Sequence, residues 1–536
     1  MRQVQKQHTE MEDGMNYHGL GMYQWDTWYC RRKDTQEVHA FYLQDLRPDS
    51  SRTRLEADSI GHAITYNLLD WEELEVAVTP QPANTPGDLT NWTGSTLEHE
   101  GKYYMFYTIR SSASEGKEQS IGLAVSEDLI TWDKCSKNPI LIPDGRWYNT
   151  IHQKSINQIV DCRDLMVVKH DKKPGYFGVF ATRIPTKELP QGAVFAGAYS
   201  EDLIHWEQTP PVVQSPVHKY SIVEMPDLFW MDGKWYLTWL EDTSYGKREI
   251  LGDLFLTSGT VYAVADQLEG PYTEPEDNIL IASMGFNGLS CRTVDFKGKK
   301  YVIYTMAERE HENETKHTFG ALSLPKEIRV LNDKLCACFA SDILEEKLME
   351  TLMDPNCLPA QIEFHNCHET FGDWKKAGNT VYGATDTTWS RYTFDVRADN
   401  FYYSADITVS RGIAAGLLIR QGNNKSGGVV LLDYERQLLM FCTVPRFQIV
   451  DMRKLRLEYN KTYHIQVIAN DKFIEVYVDE VLLLQFVWYF SFEGRFGLLT
   501  DRADTRFERI CARRLDISER RVRGGKSNAF HEPNAE

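Results

Sequence analysis

Apolar and polar positions alternate with a period of two along most of this chain, which is the signature of half-buried β-strands. The clearest runs are GHAIT (61–65), IGLAVS (121–126), FAGAYS (195–200) and VYAVA (261–265). Three lead directly into one motif, S/T-x-D/N-L-x-x-W: Thr65–Trp71, Ser126–Trp132 and Ser200–Trp206, with a degenerate copy at Asp266–Tyr272. Ahead of each run lies an aromatic one, usually opened by a glycine turn: 39–44, 101–108, 175–182, 233–241 and 298–306. Repeated all-β units of roughly 60–75 residues, with little helix between them, predict a ring of blades. The expectation is an all-β protein whose N-terminal domain, 1–335, is a five-bladed β-propeller.

A different pattern follows. Residues 336–362 read as a linker with a short helix near 340–353. Long alternating runs then occupy Tyr402–Val409, Ala414–Arg420, Gly428–Val444, Tyr463–Leu484 and Gly494–Thr500 without the propeller motif. A concanavalin-like β-sandwich over 363–517 fits them. The polar, aperiodic tail 518–536 is expected to be disordered.

Composition narrows the partners. The 536 residues are 42% hydrophobic and 25% charged, enough for two sizeable cores. A net charge of −18 argues against a nucleic-acid partner, which calls for a basic face. No apolar stretch is long enough to span a membrane, and the first residues hold no apolar core of the kind an export signal carries, so a cytoplasmic location is expected. Ten scattered cysteines without metal-ligand spacing read as free thiols, and no metal or organic cofactor is expected. Nothing in the sequence points to a particular oligomeric state. A neutral polyol such as a carbohydrate remains a fitting partner.

The segments just upstream of the aromatic runs carry the candidate chemistry. Aligned by spacing, Asp26, Ser95, Asp164, Glu224 and Arg292 recur at separations of 69, 69, 60 and 68. Equivalent positions around a ring converge on its axis, so two Asp and one Glu are expected in one funnel. Any one alone is simply explained as a solvated or turn-capping carboxylate; three at matching positions are not. Like charges held close raise at least one pKa and prepare one group to act as an acid. Paired carboxylates flanking one bond are what glycoside hydrolysis needs. Trp25, Trp28 and Trp92 at the same mouth suit stacking on sugar faces, although blade packing accounts for them equally well.

These residues resemble known motifs. Trp25-Asp-Thr-Trp28 is similar to the W-D-S-W nucleophile motif of levansucrase-type enzymes, glycoside hydrolase family 68. Trp92-Thr-Gly-Ser95 resembles W/F-S-G-S, Arg163-Asp164 resembles R-D-P, and Glu224-Met-Pro-Asp-Leu-Phe229 resembles the E-C-P-D-L-F motif of family 32 invertases and fructanases. Gly61-His-Ala63 with Asn67–Trp71 is similar to another family 32 stretch, and Glu475–Asp479 with Gly494–Leu498 resembles that family's C-terminal module. The chain departs from family 32 in lacking N-D-P-N-G and in having Leu165 and Met225 where the family has Pro and Cys.

The resemblance implies a retaining β-fructofuranosidase acting on sucrose, fructo-oligosaccharides or fructan. Asp26 would be the nucleophile, Glu224 the acid/base and Asp164 the stabiliser of the oxocarbenium-like transition state. Arg163 would orient Glu224, and Trp25, Gln44, Trp92 and Ser95 would line the fructosyl pocket. The alternatives are an inverting arabinofuranosidase or xylosidase of the family 43 type, a fructosyltransferase, and a carbohydrate-binding protein with a dead site.

Overall fold

The computed structural model describes residues 17, 19, 21–48, 50–150, 159–185, 192–213, 222–241, 247–250, 253–284, 288–308, 318–361, 372–423, 426–489 and 493–516. The expected tail 518–536 lies outside them.

The repeated motif is a turn built from its own side chains. In the second unit, Ser126 Oγ accepts the Leu129 N–H at 2.8 Å, while Asp128 Oδ1 accepts those of Ile130 and Thr131 at 2.8 and 2.7 Å. Trp132 Nε1 then donates back to the Leu129 carbonyl at 3.2 Å. Thr65 and Asn67, and Ser200 and Asp202, repeat these bonds. The central leucines Leu68, Leu129 and Leu203 are buried and share a left-handed backbone, with φ of 64°, 65° and 65°. An unfavourable backbone angle for a leucine is held by an apolar anchor and by side-chain oxygens that take the turn's free N–H groups.

These turns close antiparallel sheets. Among the described residues, three four-stranded sheets and one five-stranded sheet follow one another, with inner strands Met22–Arg31, Thr90–His99, Cys162–Lys169 and Val223–Met231. A fifth inner strand, Gly288–Phe296, pairs with Lys299–Glu308. Each inner strand packs on the next, and the fifth packs on both the fourth and the first, closing a ring. The arrangement is that of a β-propeller with four discrete blades, not the five separate units that the repeats predict. The strands of the fifth unit continue, ladder by ladder, into a 17-stranded sheet that includes the C-terminal region.

That continuity has a physical cause. Leu348–Met353, inside the stretch expected to be helical, is a strand that pairs with the final strand Gly494–Leu515. Within that stretch helix is confined to Ser341–Leu344, followed by one tight turn at Glu345–Lys347. Two long strands, Phe401–Gln421 and Gly494–Leu515, pair with each other over most of their length. The first half of Phe401–Gln421 also pairs with Thr462–Asn470 and its second half with Gly427–Asp433, so the strand passes from one set of partners to another. Tyr301, Tyr304, Phe339, Tyr477 and Leu515 share one apolar core that binds this region to the ring. No helix among the described residues is long and apolar enough to cross a membrane.

Candidate active site

Each of the five inner strands breaks register with its neighbour near its start. The breaks fall between Trp25 and Trp28, between Trp92 and Gly94, opposite Val179–Ala181, between Glu224 and Asp227, and between Gly288 and Cys291. A bulge re-aims a side chain out of the ladder, and here the bulges recur around one axis. Asp26, Asp164 and Met225 sit in them with φ of 48°, 61° and 54°. Asp tolerates this left-handed backbone better than most residues. Gly94 serves the same construction: a Cβ there would lie 1.6 Å from the Phe106 carbonyl oxygen.

Register therefore corrects the alignment by spacing. Asp26 and Asp164 occupy the bulges, and Glu224 stands one residue ahead of the third left-handed position, Met225. Ser95 and Arg292 lie past their bulges, in regular pairs with Phe106 and Ile303. They form the second pair past the break, whereas Asp227, opposite Thr238, and Trp28, opposite Phe41, form the first past theirs. In the second strand the bulged residue is Thr93, and its hydroxyl donates to Asp26 Oδ2 at 3.2 Å.

Arg163 is the hub of the acidic cluster. Its Nη1 donates to Asp161 Oδ1 at 2.6 Å, and its Nη2 to Glu224 Oε1 at 3.2 Å and the Val223 carbonyl at 3.1 Å. Its Nε lies 3.6 Å from Asp164 Oδ2. Burial opposes the guanidinium charge, yet Asp161, Glu224 and Asp164 together hold its pKa above the ordinary value. Asp164 is buried, and burial pushes its carboxyl up against the pull of Arg163, the Met225 N–H and Arg292. The Met225 N–H donates to Asp164 Oδ2 at 3.0 Å, and the Asp164 N–H donates to Thr108 Oγ1 at 3.0 Å. Glu224 differs: its side chain is 34% exposed, against 4% for Asp164. Of these two carboxylates, Glu224 can meet a ligand's proton while Asp164 sits below it.

The remaining candidates divide. Trp25 is partly exposed beside the first bulge. Trp92 is partly exposed and has the Arg110 guanidinium over its ring at 4.2 Å. Trp28 is packing: it is buried against Phe41, and its Nε1 donates to Thr96 Oγ1 at 3.1 Å. Ser95 is also turned to structure, its hydroxyl donating to the Leu165 carbonyl at 2.7 Å between the second and third strands. Gln44 is buried and donates from Nε2 to the Glu56 carbonyl at 2.7 Å. Thr93, Thr108, Asp161 and Asp227 were not singled out from the sequence; the signal available was the place of Thr93, Asp161 and Asp227 within the motifs W-T-G-S, D-x-R-D and E-M-P-D, and that of Thr108 at the end of the aromatic run 101–108. Among the described residues, no group of three His, Cys, Asp or Glu stands where it could hold a metal ion.

Beside the second sheet, a cleft of about 590 Å³ is lined by Asp88, Ser111, Ser114, Gln119 and Ile142 among others. Gln119 connects it to the hub, because its Oε1 accepts from Arg163 Nη1 at 3.4 Å.

Known proteins agree with this architecture. The sequence profile of the glycosyl hydrolases family 32 N-terminal domain matches residues 35–338, beginning just after the Asp26 strand. A fructan 1-exohydrolase of Aegilops tauschii is 33% identical over 96 residues, 17% of this chain and 15% of that protein. A bifunctional 6(G)-fructosyltransferase/2,1-fructan:2,1-fructan 1-fructosyltransferase of Allium cepa is 35% identical over 89 residues, 16% of this chain and 14% of that protein. The matched stretches thus span about one-seventh of those relatives' lengths. The solved GH32 beta-fructofuranosidase of Bombyx mori shares the fold over 94% of both chains, with a TM-score of 0.64 at 17% identity. With a family profile covering more than half its length, this chain belongs to glycosyl hydrolase family 32.

Proposed function

We propose that the protein is a retaining glycoside hydrolase cleaving β-fructofuranosidic bonds, built on a propeller whose fifth blade is the unit 288–339, with a β-sandwich behind it. One observation carries this reading: two guanidiniums join the three carboxylates into a single site. Arg163 pairs with Glu224 and Asp164, and Arg292 interacts electrostatically with Asp164 and Asp26.

The chemistry follows from position. An Asp26 oxygen attacks the anomeric carbon and the glycosidic C–O bond breaks. The Glu224 proton passes to the departing oxygen. Water then attacks the same carbon, gives a proton to Glu224 and releases Asp26. Two inversions amount to retention. Asp164, held by the Met225 N–H, accepts hydrogen bonds from ring hydroxyls and faces the positive charge that develops. Arg163 keeps Glu224 directed at the leaving oxygen. The cleft beside Gln119 is suited to the next sugar of a chain, since its mixed lining offers Asp88 and Ser111 beside Ile142 and Pro143, without a basic residue among those lining it.

A second reading, fructosyl transfer, is favoured by the 35% identity to the onion transferase. Incubation with sucrose, inulin and levan, with the anomeric product followed by NMR, tests both. Hydrolysis of sucrose releases glucose and fructose equally; transfer leaves glucose in excess. An inverted product would move the protein to the family 43-type mechanism, and no turnover of any glycoside would leave a binding protein.

A further inference from the structure

Arg292 takes no step in the reaction above, yet few charged side chains among the described residues are so enclosed. It lies on the fifth inner strand, past its bulge, and is only 2% exposed. Its Nη2 donates to the Gly94 carbonyl at 3.3 Å. Gly94 is on the second inner strand, which is not a ring neighbour of the fifth, so the side chain reaches across the central channel. Its Nε and Nη1 meet no acceptor among the described residues. A buried guanidinium that leaves donors unmet costs stability, so the position calls for an explanation in function.

The charges around it supply one. Asp227 on the fourth strand, Asp164 on the third and Asp26 on the first all interact electrostatically with Arg292 and favour its charge against the cost of burial. Asp227 is already satisfied, its two oxygens accepting the Leu228 and Thr293 N–H groups at 3.0 and 2.6 Å. Asp164 also has Arg163, with Asp161 and Glu224 beyond it. Asp26 Oδ2 accepts the Thr93 hydroxyl at 3.2 Å.

We propose that Arg292 is a positioning residue: a cation plugging the floor of the channel, whose charge keeps Asp26 and Asp164 ionised from below while Arg163 serves Glu224 at the mouth. Two guanidiniums thus divide the labour. This rests on the proposed fructosidase reading.

The test compares wild type with Arg292→Met and Arg292→Lys. An opposite charge within contact range lowers a carboxyl pKa by about 1–3 units. In Arg292→Met the acid limb of kcat/KM is therefore expected to move up by about one pH unit or more, with Arg292→Lys returning it toward wild type. Thermal unfolding from pH 4 to 8 gives a readout that needs no turnover. Loss of the cation makes the native carboxyls bind protons more tightly, so the Tm of Arg292→Met relative to wild type must rise as pH falls. A purely structural arginine would give a pH-independent Tm difference and an unmoved acid limb, which overturns the proposal. Equal displacement of the limb in Met and Lys variants would also sink it. If wild type turns over no fructoside, the functional reading fails while the thermal arm still decides the role of Arg292.

Discussion

Two of the regions of this molecule that bury charge treat it in opposite ways. Where the ring meets the C-terminal strands, Lys326 is enclosed and pairs with Glu475. Lys326 Nζ also donates to the Leu324 carbonyl at 2.7 Å and lies 5.0 Å from the Tyr304 ring, while the Tyr477 hydroxyl donates to Glu475 Oε2 at 2.6 Å. One cation meets one anion and the lone pairs are filled. At the funnel the arithmetic does not balance. Asp26, Asp161, Asp164, Asp227 and Glu224 share Arg163, Arg183 and Arg292, and Arg292 keeps unmet donors. The matched pair fastens two regions together. The unmatched group is poised to act on something else, which is how functional sites depart from structural ones.

The largest effect that would break this contrast is at Asp26. Because its φ is 48°, Asn is a better probe than Ala, since Asn accepts left-handed backbone. Asp26→Asn is expected to lower kcat on sucrose or inulin by on the order of 10⁴-fold, with Tm within a few degrees of wild type. Substantial residual activity would show that the anion is structural, like Glu475. Next comes Glu224→Gln, with a loss of about 10²–10⁴-fold on natural substrates. The loss is expected to shrink on an aryl fructofuranoside, whose leaving group needs little protonation. An equal loss on both substrates would deny Glu224 the role of acid.

The third prediction addresses the matched region. Removing one member of a buried pair strands the other, at about 3–5 kcal/mol of stability. Lys326→Met is expected to lose that much in chemical denaturation, with turnover per folded molecule unchanged. The double variant Lys326→Met/Glu475→Leu is expected to recover most of the loss. If the double variant were as unstable as the single one, the pair would be doing more than satisfying itself.

What the sequence reveals, and what it hides, follows the same division. The run GHAIT is a strand with unchanged bounds, Gly61–Thr65, because alternation and turn chemistry are local properties. Asp26, Asp164 and Glu224 were visible through the repeat. Their register was not: a bulge inserts one residue without disturbing the alternation on either side, so equal spacing merged Ser95 and Arg292, which lie past their bulges, with residues at the bulges. Ser95, Gln44 and Trp28 look like pocket residues by motif, and only register shows their side chains committed to the Leu165 carbonyl, the Glu56 carbonyl and Thr96. Leu348–Met353 reads as helix in isolation. It becomes strand because Gly494–Leu515, some 150 residues later, offers it a ladder. Such long-range pairing leaves no local trace.

The smallest expected effect concerns pH. Burial lifts the Asp164 carboxyl above its ordinary value, with Arg163 and Arg292 pulling the other way. A carboxyl whose folded pKa is raised binds its proton more tightly in the native state than in the unfolded one. Its contribution to stability is therefore present in full below the ordinary carboxyl pKa and is lost as pH rises through the folded value. Asp164→Asn removes that dependence, and the left-handed φ of 61° suits Asn. At neutral pH the variant no longer buries an anion, so its Tm is expected to exceed that of wild type by about one to a few degrees. As pH falls and wild-type Asp164 becomes protonated, the two curves are expected to converge. Scanning fluorimetry of both proteins from pH 3.5 to 8 reads this directly. A difference that widened toward acid would mean that the arginines win and that Asp164 sits below its ordinary value, which would place it with the matched charges and not with the poised ones.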